Sequence, residues 1–136
     1  MSIEELVRGL VERVWNGGRL DELDRYFAPT FEHGNRTDDL AGLQSWHEAE
    51  AATWADTRYE IQRLVTGDDA AAVHWRASAR QIGPWGPVPV TNRTVTWDGV
   101  HFFTVRAGRI VAMWATADLF NKAQQLGVTM VPPSPS

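Results

Sequence analysis

The chain has 136 residues, 43% apolar and 22% charged, which fits a single domain built on one core. Its formal charge is −4 with no run of Lys or Arg, leaving no electrostatic footprint for nucleic acid or an anionic membrane, so the expected partner is a small molecule. Without cysteine there is neither a disulfide framework nor a thiolate nucleophile, and no apolar stretch approaches the roughly 20 residues that cross a bilayer. The start of the chain lacks the apolar segment of a signal peptide, and the expectation is a soluble, cytoplasmic protein.

Ser2-Ile3-Glu4-Glu5 is a capping-box pattern, and Ile3, Leu6, Val7, Leu10, Val11 and Val14 follow at helical spacing until Gly17-Gly18 stops them. A shorter helix is expected at about Leu20–Phe27, closed by Pro29, and then a short strand at Phe31-Glu32-His33. Thr37 should cap a third helix carrying Leu40, Leu43, Trp46 and Trp54 on one stripe, with Glu50 the acid inside it. From Tyr59 the period becomes two, giving strands at about Arg58–Val65 and Ala70–Gln81 around Gly67-Asp68-Asp69. Between Ile82 and Arg93 the prolines and glycines exclude regular structure, and Val131–Ser136, with three prolines, reads as a frayed tail after a domain spanning 1–130. Helices followed by antiparallel strands make the class α+β.

A last hairpin, Thr94–Arg106 and Arg109–Ala117 around Ala107-Gly108, runs into Asp118-Leu119-Phe120 and a terminal helix. A regular hairpin sets Arg106 opposite Arg109, Thr104 opposite Val111, Phe102 opposite Met113 and Val100 opposite Ala115. Phe102, Thr104, Met113 and Ala115 then share the face toward the helices, while His101, Phe103 and Trp114 take the other. Nothing in the sequence marks a bulge that would exchange them. Neither face is plainly polar, so the second should be covered by another copy of the chain in a homodimer.

Trp15-Asn16-Gly17-Gly18-Arg19-Leu20-Asp21, Phe27-Ala28-Pro29, Gly67-Asp68-Asp69 before Val73-His74-Trp75, Gly83-Pro84-Trp85-Gly86, Phe103-Thr104-Val105-Arg106-Ala107-Gly108-Arg109-Ile110, and Asp118 with Gln124-Gln125-Leu126-Gly127 occur in the order and spacing of the SnoaL-like polyketide cyclases of the NTF2-like superfamily. The chain resembles that family over nearly its whole length. The resemblance implies a conical α+β fold, a curved antiparallel sheet wrapped on three N-terminal helices with a short helix at the end, usually dimeric. It also implies cofactor-independent chemistry on polycyclic aromatic polyketides, including aldol-type ring closure.

Transferred position by position, the resemblance makes Asp118 the acid–base residue, taking a proton α to a carbonyl and returning one to the new alkoxide. The cyclases' partner histidine falls at or near Thr104, with His101 three residues away on the opposite face of a regular strand. His33 stands where the related ketosteroid isomerases carry their base, and a neutral imidazole can take a proton near pH 7. The isomerases' second acid falls at Val100, which disfavours that activity. The hydroxylase-like relatives stay open, as do the epoxide hydrolases, for whose Asp-Arg-Asp set Arg76 and Asp118 offer two members.

Each residue also has a structural reading. Asp118 suits a simple N-cap, His33 a strand end, Asn35 a turn in Gly34-Asn35-Arg36-Thr37, and Glu50 the edge of the stripe with water or an arginine. Trp15, Trp54 and Trp85 suit a pocket wall, with Asn35 a donor to a substrate oxygen, and flat rings favour a planar ligand. Histidines and acids show no metal-ligand spacing, and no cofactor is expected. The leading expectation is an acid–base enzyme on a hydrophobic carbonyl compound using Asp118 and His33, and the rival is a non-catalytic module binding a hydrophobic ligand in the same cone.

Overall fold

In the computed structural model, which describes residues 1–135, α1 (Ile3–Gly9) is capped by Ser2, whose hydroxyl accepts from the Glu5 amide. The helix continues as a wider π-wound segment, Leu10–Asn16. Its apolar stripe buries Leu6, Val7, Leu10 and Val14 against the sheet, each to 2% exposure or less, and a side chain of that size contributes roughly 1.5–3 kcal/mol when fully buried. Asn16 then fastens the helix end to the edge strand: its amide donates to the Tyr59 carbonyl (2.9 Å) and its Oδ1 accepts from the Tyr59 amide (2.7 Å). That pairing occupies strand groups that an edge otherwise leaves open.

The expected second helix is shorter. A 3₁₀ turn, Leu20–Glu22, leads into α2 (Leu23–Tyr26), and β1 (Phe27–His33) begins where the helix was expected to continue. Pro29 explains both facts, since it disfavours helical backbone before it and supplies no N–H to the ladder. The pairing of β1 with the last strand accordingly breaks between Phe27 and Glu32. Thr37 is not a cap. It lies in β2 (Arg36–Asp39) and donates to Glu32, while Asp39 caps α3 (Leu40–Thr53) by accepting from the Gly42 amide at 2.8 Å. Trp54, expected on that helix, opens β3 (Trp54–Thr66) instead.

β4 (Ala70–Gln81), β5 (Thr94–Arg106) and β6 (Arg109–Ala117) occupy the expected spans, and α4 (Leu119–Gln125) follows. The six strands form one curved, unclosed sheet in the order β2-β1-β6-β5-β4-β3, antiparallel except where β1 runs parallel to β6. Residues 131–135 are exposed and form no helix or strand, and Ser136 lies outside the described residues. Among the described residues no helix is long and apolar enough to cross a membrane.

The corner where the Leu20–Glu22 turn meets α1 is closed by charge. Glu22 is 6% exposed and takes Arg13 at 2.6 and 2.7 Å, Arg25 at 2.9 Å and Arg19 at 3.5 Å. The bonds from Arg13, above all, hold its carboxyl down to about 2. A carboxyl whose folded value is depressed contributes its stability above the ordinary value near 4.5 and loses it as pH falls toward 2. Glu22→Gln should therefore melt lower than the parent at pH 7, and the gap should close in melting curves taken between pH 4.5 and 2. A gap that is independent of pH would show that the three guanidinium groups do not act through the charge.

Candidate active site

A cavity of about 510 Å³ lies between α3, α4 and the inner face of the sheet, in the size range of small-molecule sites. Trp75, Trp97 and Tyr59 contribute rings from the sheet, Trp15 from the first helix and Trp85 from the 82–93 loop. The loop is held by Gln81, which is fully buried. Its amide donates to the Gly83 and Pro89 carbonyls, both at 3.1 Å, and its Oε1 accepts from the Thr91 amide and hydroxyl. Every polar atom of that side chain is paired, so the irregular loop has a fixed base from which Trp85 reaches the cavity.

The hairpin departs from the regular register at one residue. Arg106 faces Arg109 and Val105 faces Ile110, but Thr104 then faces Ala112, so Val111 stands unpaired as a bulge. From that point His101 pairs with Ala115, Phe103 with Met113 and Phe102 with Trp114. A side-chain period of two turns a one-residue slip into an exchange of faces. Met113 and Ala115 line the cavity as expected, whereas Phe102 and Thr104 are turned to the outer face, where Phe102 is 50% exposed beside Trp114. His101 takes their place inside.

Trp75 fixes His101. The indole Nε1–H donates to His101 Nδ1 at 2.9 Å, and an indole can only donate. His101 must keep a lone pair on Nδ1, so the neutral ring carries its proton on Nε2 and offers a donor to the cavity that it lines. Gly99 makes the contact possible: it pairs with Trp75, and a Cβ on Gly99 would overlap the indole ring lying across it. Burial, reinforced by the nearby His33 and His47, pushes His101 down to about 3, and burial alone pushes His47 down to about 4.

Other titratable groups face the same space. Leu43, Trp46, His47 and Glu50 form the cavity side of α3 at helical spacing. Glu50, expected at the stripe's edge with water or an arginine, lies on the cavity wall instead. Burial raises its carboxyl above the usual range, opposed by the charge of Lys122, and among the described residues no hydrogen bond acts on it. His33 lines the cavity with Nδ1 at 3.4 Å from Asp38 Oδ2 and 3.3 Å from Arg36 Nη2. Donating to the carboxylate leaves its Nε2 basic, and accepting from the guanidinium leaves Nε2 a donor. Lys122, His47, Tyr59, Trp75 and Trp97 were absent from the sequence reading of the site, which weighed His101 but set it on the opposite face of a regular strand. The pairing of Gly99 with a tryptophan strand and the presence of one lysine among thirteen basic residues were the available signals.

The remaining expected residues lie elsewhere. Asp118 is exposed, caps α4 by accepting from the Asn121 amide at 3.0 Å, and is not part of the cavity wall. Asn35 is exposed in the turn between β1 and β2. Arg76 points to the outer face and, together with His74, binds Asp98, which removes it from an epoxide-hydrolase set. Trp54 is buried beneath Trp85 and Trp97 and lines an adjoining cavity of about 320 Å³, its Nε1–H without an acceptor among the described residues. Among the described residues no group of His, Cys, Asp or Glu could hold a metal ion.

Refusal of protons by His101 and His47 has a measurable cost. Below about 6.5 the unfolded chain takes up protons on these rings that the folded chain does not, so stability is full above that value and falls as pH drops toward 4. His101→Gln keeps an acceptor for Trp75 but cannot titrate. Its denaturant-unfolding free energy should decline less steeply than the parent's between pH 6.5 and 4, and parallel profiles would contradict this.

Residues 5–126 match the family model of the SnoaL-like polyketide cyclases. No curated protein matches the chain. Among solved structures it is similar to a SnoaL-like polyketide cyclase from Agrobacterium tumefaciens, at 21% identity and a TM-score of 0.85, covering 93% of this chain and 99% of that one. A candidate polyketide cyclase from Acidithiobacillus ferrooxidans is similar at 24% identity and a TM-score of 0.81, covering 93% and 98%. IdmH, a candidate polyketide cyclase from Streptomyces antibioticus, is similar at 26% identity and a TM-score of 0.79, covering 92% and 98%. With the match running from α1 through α4, the chain belongs to the SnoaL-like polyketide cyclase family.

Proposed function

We propose that this protein is a cofactor-independent acid–base enzyme acting on a polycyclic aromatic polyketide or a similar hydrophobic carbonyl compound, with aldol-type ring closure as its reaction class. One observation carries the reading: a neutral imidazole N–H and a carboxyl with no partner among the described residues face the same aromatic-walled cavity. A substrate carbonyl oxygen accepts from His101 Nε2–H. Glu50, as carboxylate, takes the proton from the adjacent carbon, and the C–H electron pair becomes an enolate whose oxygen His101 holds. The enolate carbon attacks a second carbonyl of the same molecule, and the resulting alkoxide recovers that proton from Glu50, directly or relayed through His33, which restores the carboxylate.

His101 serves this step as a donor because Trp75 holds Nδ1 unprotonated. A neutral imidazole donor and a raised carboxyl lining one cavity are also a pairing in which two groups are driven to different roles by their surroundings. Asp118, the base that the resemblance implies, is replaced in this reading by Glu50. Its place as an exposed cap is also what the rival binding module would show.

The test uses 2-tetralone, a bicyclic ketone with exchangeable α-protons, followed by NMR in deuterated buffer. The parent should speed exchange, Glu50→Gln should lower the enzymatic rate on the order of 100- to 10,000-fold, the usual worth of a positioned proton carrier, and Asp118→Asn should stay within about twofold. Loss of rate in Asp118→Asn with Glu50→Gln intact would return the chemistry to Asp118. Saturable binding of the ketone without any acceleration would identify the non-catalytic module.

A further inference from the structure

The chain carries twelve arginines and one lysine, and the lysine is the basic side chain that folding removes from water. Lys122 on α4 is 4% exposed and lines the main cavity. Its Nζ lies 3.7 Å from the ring centroid of Trp97, 4.0 Å from Trp54 and 4.9 Å from Trp85. These faces stabilise the positive charge through their quadrupoles. They do not replace hydrogen-bond acceptors, and an ammonium has three N–H groups to satisfy. Among the described residues no hydrogen bond or ion pair reaches Nζ; Glu50 acts on it only through space.

A largely buried cation without a protein acceptor is costly unless cavity water or a ligand supplies one. Burial accordingly lowers Lys122 to about 8, opposed by Glu50, which leaves the ammonium form dominant at neutral pH. The cage matches a compact ammonium, and its open side is the cavity. We propose that Lys122 is an anchor for an ionised oxygen, so that the cavity selects planar aromatic compounds bearing a carboxylate, phenolate or stabilised enolate over their neutral counterparts. This rests on the cavity being the ligand site of the proposed function and adds the charge of the ligand to it. It also divides the cavity by role, with the rings holding the flat carbon skeleton and Lys122 setting which end of it carries the negative oxygen.

The experiment compares 2-naphthoate with methyl 2-naphthoate by calorimetry at pH 7, using the parent and Lys122→Met, whose uncharged chain fills the tryptophan cage. The parent should bind the acid at least about tenfold more tightly than the ester. Lys122→Met should lose that preference and keep its ester affinity within about threefold. Because Lys122 is the only lysine, lysine labelled with ¹³C at Cε gives one side-chain NMR signal in the unaltered protein. Its titration midpoint should rise by at least one pH unit with 2-naphthoate and stay in place with the ester. Equal acid and ester affinity in the parent, a preference that survives in Lys122→Met, or an unmoved midpoint would overturn the anchor alone. Failure of both compounds to bind would overturn it together with the ligand-site reading on which it rests.

Discussion

Val111, left unpaired in the β5–β6 hairpin, decides which side chains the cavity has. Between Val105–Ile110 and Thr104–Ala112 the ladder gains one residue on β6. Every residue of β5 before the bulge thereby meets a partner shifted by one, and with a side-chain period of two that shift selects a face. Trp97, Gly99, His101, Phe103 and Val105 form one inward row of an unbroken β5, and the bulge on β6 puts Met113 and Ala115 on the face of that row. Without the bulge His101 would pair with Trp114 and Phe103 with Ala112, so Met113 and Ala115 would turn away from the cavity. The bulge therefore acts on chemistry as well as on shape.

The inward row then builds its own electrostatics. Gly99 leaves space for Trp75, Trp75 donates to His101, and the remaining imidazole proton faces the cavity. Aromatic walls exclude water from this space, which is why histidine, carboxyl and amine groups there all move toward their neutral forms. Lys122 and Glu50 oppose that trend in one another without touching. A site with one fixed donor, one raised carboxyl and one caged cation keeps three polar groups available to a ligand, where an ordinary core would have paired them or replaced them.

Periodicity made α1, β4 and β5 legible in the sequence, because their burial follows the periods of helix and strand closely, and the Ala107-Gly108 turn marked β6 although its burial breaks period at Val111. Residues 20–39 were harder, since Pro29 and a short strand interrupted both patterns, and Trp54 looked helical because it continued a spacing that the chain abandons at Thr53. At the site, Trp15, His33, Trp85, Met113 and Ala115 were found from sequence and do line the cavity. Phe102 and Thr104 were misplaced by a single bulge, which has no residue signature at Val111. Glu50, His47 and Lys122 were undervalued for a physical reason: a polar residue on an apolar stripe is usually at its edge, and only the third dimension shows when a stripe borders a cavity.

The account stands most directly on the state of His101. Nitrogen-15 NMR of the labelled imidazoles at pH 5 reads both protonation and tautomer. The structure requires His101 to remain neutral there, with its proton on Nε2 and Nδ1 accepting from Trp75. A cationic ring at pH 5, or a proton on Nδ1, would contradict the register, the tryptophan contact and the donor role together.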